Sequence, residues 1–353
     1  MSSLQPRIAG RLALAALVTL ATAIAAATSP AFAADPPRPT VKLRGTLDFI
    51  RYGSSAPSDH AVAKGYFAQY GLDVRFDASR GSQDALVRIA SGAYDVGTAD
   101  IPTLIQFIAQ NPAQAPRAVL LVLDRSPLAV TTLRKNGITR PADLVGRNVA
   151  IGTTDGGSRL FPAMLRLNGV DPDRINSKVV DVRVRDSLFL RGDVDAFVGN
   201  DYTVLFNMKG MKVNPDTLSF MRYADHGLDL YGQAVVVSRS LIERDPTTVR
   251  NYVRAMARAW RDAIQRPQEV VQTVVDMDGT LDLALETERL RYEVAGSILT
   301  PYVRRNGLGA YDPARMQRVI DLVSKGLELP RTPAPAEVYD ERFLPPYEER
   351  SIQ

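Results

Sequence analysis

The feature that most constrains the fold is an alternation of short apolar runs with helical patterns, played twice along the chain. Runs of four to eight apolar residues set between amphipathic stretches are the mark of an α/β protein with largely parallel sheets. In the first series, Leu43–Ile50, Leu72–Phe76 and Tyr94–Gly97 read as strands, with helices expected over 59–70, 82–90 and 101–109. Val119–Leu123 and Leu128–Leu133 follow as strands separated by Asp124-Arg125-Ser126-Pro127. The second series places strands at 148–151, 179–184, 195–198 and 216–221, with helices at 158–167 and 186–190. After the strand 234–237 the chain turns helical, opening on Asp245-Pro246, a capping residue with proline at the first helical position. Within it Val249, Tyr252, Val253, Met256, Trp260, Ala263 and Ile264 form one apolar stripe, so Trp260 reads as core. Arg250, Arg254, Arg258 and Arg261 fall on the opposite face, read as solvated. The Pro-rich stretch 329–346 reads as an extended surface tail.

An internal echo points to two lobes. Ser91-Gly92-Ala93-Tyr94-Asp95-Val96 recurs as Arg191-Gly192-Asp193-Val194-Asp195-Ala196, with Gly and Asp both displaced by 100 residues. That period is too long for a solenoid. Two similar α/β lobes account for it, and a chain of 353 residues exceeds the usual size of a single core.

The N-terminus reads as an address. Residues 1–11 carry Arg7 and Arg11, Leu12–Ala27 is apolar but for two threonines, and Ala31-Phe32-Ala33 forms an A-x-A site. That order describes a secretory signal peptide cleaved near Ala33. As a membrane anchor the run of 16 residues is short of the roughly 20 that a bilayer core needs. Without residues 1–33 the chain has 41 basic and 39 acidic side chains, a net of +2, against +4 for the whole. So near a balance offers no electrostatic case for a nucleic-acid partner. The absence of cysteine excludes disulfides, thiolate metal sites, a thiol nucleophile and lipid attachment after the leader.

In open α/β sheets ligands bind beyond the carboxyl ends of strands, where helix N-termini present free N–H groups. Applied to both series, that rule selects loops rich in Gly and hydroxyl residues. Candidate ligand contacts are Tyr52, Ser54, Ser82, Gln83 and Asp100 in the first series, and Thr154, Asp155, Gly157, Ser158, Asn200, Asp201 and Tyr202 in the second. Tyr231 is a further candidate, with Tyr52 and Tyr202, to wall in a ring. The loop 153–158 is no phosphate loop, since no Gly-Lys-Ser/Thr follows. Ser58-Asp59-His60 are adjacent, which does not make a triad, and no G-x-S-x-G elbow exists. The two histidines, His60 and His226, lack metal-ligand spacing. No catalytic residue, metal or cofactor is expected.

Several segments then resemble one family. His60–Val74 (HAVAKGYFAQYGLDV) is similar to a "GyF…GLdV" segment, Ser91-Gly92…Asp95-Val96-Gly97 to a "sGeaDvg" turn, and Gly137-Ile138…Asp143-Leu144-Val145-Gly146-Arg147 to a "gI..p.DLkGk" motif. Asn168-Gly169-Val170-Asp171, Val194–Phe197 and Leu230-Tyr231-Gly232…Val237-Ser238 continue the series in family order, from about Leu43 to Gln265. The family is that of the nitrate, sulfonate, taurine and thiamine-pyrimidine-precursor binding proteins of ABC importers. The resemblance implies a periplasmic-binding-protein type II-like fold, two α/β lobes joined by two crossing segments. Lobe I is then expected over 41–124 plus 233–340, lobe II over 128–221, the crossings at 125–127 and 222–232, and a tail at 341–353. It further implies a periplasmic monomer that holds a small polar organic solute between its lobes and hands it to an inner-membrane ABC permease. Some eukaryotic relatives are enzymes that make the thiamine pyrimidine and use a Cys-rich motif, which this chain lacks. A secreted enzyme acting on a similar solute is the alternative. Three carboxylates at expected cleft positions (Asp100, Asp155, Asp201) favour a solute with donor groups, an aminopyrimidine or an amino-sulfonate, over a bare inorganic anion.

Overall fold

Two five-stranded sheets organise the chain, and they are built to one plan. A computed structural model describes residues 40–152 and 156–352. The signal-peptide reading and the candidates Thr154 and Asp155 lie outside the described residues. The first sheet contains β1 (Val41–Thr46), β2 (Leu72–Asp77), β3 (Val96–Asp100), β4 (Arg117–Leu121) and the late strand β10 (Gln233–Val237), in the order β2-β1-β3-β10-β4. The second contains β5 (Leu128–Leu133), β6 (Asn148–Ile151), β7 (Asn176–Val179), β8 (Ala196–Asn200) and β9 (Leu218–Arg222), in the order β7-β6-β8-β5-β9. In each, three parallel strands are followed by one antiparallel strand borrowed from the connection between sheets: β10 beside β3, and β5 beside β8.

Helices cover the sheets. Those of the first half are α1 (Ala56–Ala63), α2 (Ser82–Ala90), α3 (Ile101–Gln110), α4 (Gly156–Leu167), α5 (Val182–Arg191) and α6 (Asp201–Gly210). After β10 come α7 (Arg239–Arg244), α8 (Pro246–Gln265), α9 (Pro267–Met277) and α10 (Leu283–Glu293), the last running into a π-turn at Val294–Ile298. Then follow α11 (Pro301–Asn306), α12 (Pro313–Gly326), α13 (Pro335–Val338) and α14 (Tyr347–Arg350). Among the described residues no helix is long and apolar enough to cross a membrane.

The echo in the sequence has a physical basis. Gly92 and Gly192 both sit at left-handed φ (75° and 82°) where α2 and α5 stop. Three residues on, Asp95 and Asp195 do the same job in the two sheets. The Asp95 carboxylate accepts the N–H of Arg44 at 2.9 Å, and Asp195 accepts that of Asn148 at 2.9 Å, so each ties the start of the third strand to the first. The positional counterpart of Asp100 is Asn200: both precede a helix, with Asp201 one residue further on.

Several boundaries differ from the sequence reading. β1 ends at Thr46, and Leu47–Ile50 leave the sheet although their apolar character continues. The expected strand over 179–184 is instead the end of β7 and the first turn of α5, capped by the Asp181 side chain on the Arg183 N–H at 2.9 Å. The C-terminal tail is not an extended surface segment. Val338, Tyr339 and Phe343 are buried, the Tyr339 hydroxyl donates to the Gly309 carbonyl at 2.6 Å, and Asp340 N–H donates to Ala118 O at 2.9 Å. This end of the chain covers the edge strand β4, whose backbone groups would otherwise stay unpaired. Its last helix also covers part of the arginine face of α8: Arg254 pairs with Glu349 at 3.0 Å and Arg261 donates to the Glu349 carbonyl. Trp260 is core, as its place in the stripe requires.

Two chain segments pass between the sheets and bond to each other. Gly232 N–H donates to Leu123 O at 2.8 Å and Ser126 N–H to Leu230 O at 2.9 Å. Arg315 at the start of α12 clamps them from outside, reaching the Asp124 carboxylate at 3.1 Å and Asp229 at 2.8 Å. Apolar side chains of α12 (Met316, Ile320) pack with Ile108 of α3 and Leu160 of α4, so one core cluster runs from one sheet to the other.

Candidate functional site

The carboxyl ends of the strands of both sheets, together with the two crossing segments, form a partly open cleft with a cavity of about 150 Å³. From the first sheet come Asp48 and Phe49 after β1, Tyr52 from the turn that follows, Arg80, Gly81 and Ser82 after β2, and Asp100 at the end of β3. From the second come Gly156 at the start of α4, Arg185, Gly199, Asn200, Tyr202, Thr203 and Asn207. Gln233 and Gly232 close the floor at the crossing.

Five of the residues selected from sequence therefore line the cleft: Tyr52, Ser82, Asp100, Asn200 and Tyr202. The other candidates among the described residues are elsewhere. Tyr231 is fully buried in the crossing, where its oxygen accepts the Asp312 N–H at 3.0 Å and its ring lies under Arg315. Asp201 points away from the cleft into an ion pair with Arg222 at 2.6 Å. Ser158 accepts the Gly152 N–H at 2.7 Å, and the Gly157 carbonyl accepts the Tyr223 hydroxyl at 2.9 Å, so both are engaged within the protein. Gln83 accepts from Arg159 of α4 at 3.3 Å, and Gln106 accepts from the same guanidinium at 2.5 Å, a bridge between the lobes. Ser54 is buried behind Tyr52 without a hydrogen bond of good geometry.

Of the cleft residues that sequence reading missed, which include Phe49, Arg185, Asn207 and Gln233, Asp48 is the acidic one. Its Oδ1 accepts from Thr98 Oγ1 at 3.1 Å and its Oδ2 from Gln233 Nε2 at 2.9 Å, fixing the carboxylate at the cleft floor. Burial pushes its pKa above the usual carboxylate range, the bonds from Gln233 and Thr98 pull it back, and nearby Asp100 pushes it up again. The rule of strand ends would have found it had β1 been stopped at Thr46. The run Leu47-Asp48-Phe49-Ile50 keeps strand-like alternation and hid the exit.

The polar character of the cleft is that of an acceptor surface on the first-sheet side. Asp100 caps α3 through Thr103 N–H at 2.8 Å and the Thr103 hydroxyl at 2.7 Å. Of the two arginines on the cleft wall, Arg185 is held by Asp186 at 3.0 Å, whereas Arg80 is largely exposed with its side chain 3.7 Å from Asp84. Arg185 also donates to the Val198 carbonyl and lies 4.6 Å over the Phe197 ring, so it braces β8 rather than reaching freely. Phe49, Tyr52 and Tyr202 supply aromatic wall, with Phe49 and Tyr52 edge to face at 6.3 Å. Among the described residues no group of three His, Cys, Asp or Glu side chains is arranged to hold a metal ion.

Comparison with known proteins agrees with this architecture. The chain is 25% identical over 267 residues to the formylaminopyrimidine-binding protein of Halalkalibacterium halodurans, covering 74% of this chain and 78% of the relative. It is 25% identical over 266 residues to the riboflavin-binding protein RibY of Chloroflexus aurantiacus, covering 72% and 73%. Among solved structures, the alkanesulfonate-binding protein SsuA of Xanthomonas axonopodis pv. citri, bound to MOPS, superposes with a TM-score of 0.64 at 18% identity, over 87% of this chain and 99% of that one. The periplasmic nitrate-binding protein NrtA of Synechocystis PCC 6803 superposes with a TM-score of 0.60 at 14% identity, over 86% of this chain and 87% of that one. The family model described as NMT1/THI5 like matches residues 54–270, and the chain belongs to that family.

Proposed function

We propose that this protein is the exported solute-binding component of an ABC importer, capturing a small polar organic solute between its two lobes and releasing it unchanged to a membrane permease. The observation that carries the reading is the cleft itself. Polar and aromatic groups converge there from the strand ends of both sheets, and the crossing segments form its floor. A solute bound there touches both lobes at once, which is what makes closure of the lobes depend on the solute.

The acceptor character of Asp48 and Asp100, with Arg185 already paired and Arg80 beside Asp84, favours a solute that brings hydrogen-bond donors. An aminopyrimidine fits this best: its amino groups meet the carboxylates and its ring meets Tyr52 and Tyr202. The curated relative that binds a formylaminopyrimidine supports the same class. A bare anion such as nitrate or an alkanesulfonate would meet two carboxylates, with the Arg185 guanidinium already held by Asp186.

A thermal-shift panel tests both levels, using a formylaminopyrimidine, riboflavin, MOPS and nitrate as probes. A ligand present at 100 times its Kd stabilises the folded state by about 2.7 kcal/mol. Stabilisation by the pyrimidine, with the probe recovered intact, is the expected result. Stabilisation by nitrate or MOPS alone overturns the donor-ligand reading, and turnover of the probe overturns the binding-protein reading. Asp48→Asn and Asp100→Asn should each weaken pyrimidine binding, whereas Asp201→Asn should change stability more than affinity because Asp201 serves Arg222.

A further inference from the structure

Behind the aromatic wall lies a carboxyl group that the fold does not use. Glu293, the last residue of α10, is 1% exposed, and neither of its oxygens makes a hydrogen bond of good geometry. The Ser54 hydroxyl beside it is likewise unpartnered. The groups that face Glu293 are Ser54 and Tyr52 from the turn after β1, Asp48 from the loop before that turn, Tyr202 from α6, and Arg289 one helical turn earlier. Arg289 is already committed. It forms a two-pronged pair with Glu286 at 2.9 and 3.0 Å and donates to Asn207 and the Thr203 carbonyl. Glu293 is thus left with hydroxyl neighbours, a second carboxylate and an arginine already committed to Glu286, a setting in which a buried negative charge is poorly balanced.

Two of those neighbours, Tyr52 and Tyr202, are also walls of the cleft. Tyr202 neighbours both Glu293 and Tyr52, and its hydroxyl is within hydrogen-bonding reach of each. A carboxylic acid has one proton to give, whereas a carboxylate only accepts. Facing the acid, the Tyr202 oxygen can accept, and its own O–H is free to donate towards Tyr52 or into the cleft. Facing the carboxylate, the Tyr202 O–H must turn back to donate to it, and the cleft loses that donor.

We propose that Glu293 is a positioning residue for the bound solute: held neutral behind Tyr52 and Tyr202, it sets the direction in which the two phenols offer hydrogen bonds to the cleft. This rests on the reading of the cleft as the solute site. Burial pushes the Glu293 pKa up to about 8, the nearby Asp48 charge pushes the same way, and Ser54, Tyr202 and Arg289 pull against it. With the pKa raised, the carboxyl is protonated below about pH 8 and ionises above it. Solute affinity is then full on the acid side of that value and falls on the alkaline side.

The test has a part that needs no solute. Infrared difference spectra of the purified full chain, titrated from about pH 6 to about pH 10, should show a carboxylic-acid C=O band bleaching near pH 8, with tyrosine ring bands changing in step. Glu293→Gln should lack both changes. Tyr202→Phe should keep the carboxyl band and lose the coupled tyrosine change. Calorimetry with a formylaminopyrimidine follows. Wild-type affinity should fall above the midpoint, by at most about tenfold per pH unit, and level off at the affinity of the ionised form. Glu293→Gln should bind within about threefold of wild type at neutral pH and stay flat, because its amide keeps a donor that cannot ionise. Loss of affinity in Glu293→Gln with the same pH profile as wild type, or a carboxyl band that titrates without any tyrosine response, overturns the proposal. If the pyrimidine binds at no pH, the assignment of the solute fails, and the infrared result still decides the role of Glu293.

Discussion

Replacing Arg289 by Met removes one partner of a buried ion pair and strands the other. Both side chains are 5% exposed, and the pair is two-pronged, Nε to Oε2 at 2.9 Å and Nη2 to Oε1 at 3.0 Å. Glu286 would keep a single good bond, from the Gly53 N–H at 2.7 Å, and Arg289 would lose its longer bonds to the Thr203 carbonyl and Asn207, both at 3.3 Å. Methionine keeps an apolar stem of similar length, although it gives up the guanidinium that lies 5.0 Å from the Tyr52 ring centre and 5.7 Å from that of Phe206. The dominant cost is therefore the unpaired buried carboxylate, about 3–5 kcal/mol. Glu286→Gln alone strands the guanidinium in the same way. The double variant Glu286→Gln/Arg289→Met removes both charges while the glutamine oxygen still accepts from Gly53, so it should recover about 2 kcal/mol relative to the sum of the single variants. Urea unfolding followed by circular dichroism measures all three against wild type. A loss below about 1 kcal/mol in Arg289→Met, or a double variant no better than additive, would refute the idea that this pair is worth more as a pair than as separate groups.

Other consequences are equally direct. A Cβ on Gly156 would stand 2.8 Å from Thr103 Oγ1 and 2.9 Å from Asp100 Oδ1 across the cleft; Gly156→Val should weaken solute affinity by about tenfold or more through crowding of about 1–3 kcal/mol, and unchanged affinity in calorimetry would mean the lobes do not need this approach. Tyr339→Ala should cost about 3–5 kcal/mol in urea unfolding, whereas a peripheral tail would show almost none. His60 is fully buried, and burial lowers its pKa below the usual 6.5 despite the pull of Asp262 at 3.4 Å. The folded state therefore resists a proton that the unfolded chain accepts, so the His60 contribution to stability is full above about pH 6.5 and falls as pH drops through that value. His60→Asn should flatten this part of the stability profile between about pH 7 and pH 5, and an unchanged slope would rule the histidine out as its source.

Much of the architecture was legible because it is written in local patterns. Period-2 apolar runs, Gly at helix stops and Asp-Pro at a helix start depend only on residues a few positions apart, and the echo about Gly92 and Gly192 exposed the shared plan of the two sheets. The failures share a different cause. Leu47–Ile50 keep the alternation of a strand but leave the ladder, retaining only the bonds from Leu47 N–H to Asp77 O and from Ser79 N–H to Phe49 O, so Asp48 sits at the cleft floor. The Pro-rich end carries the composition of a surface tail, yet an unpaired edge strand and an arginine face were waiting for it. Asp201 and Tyr231 have the residue types of a binding site, and Arg222 and Asp312, distant in sequence, claimed them.

The class of the fold, the pairing of two similar α/β units and the end of each sheet at which to seek ligand contacts follow from short segments, because hydrophobic periodicity and turn chemistry are local properties. Which polar groups face the cleft and which are spent on one another is set by the packing of the whole chain. That choice is made by contacts between residues far apart in the chain, Asp48 with Gln233, Glu286 with Gly53, and Glu293 behind Tyr202, and the energy of a buried charge depends on those neighbours rather than on its own identity.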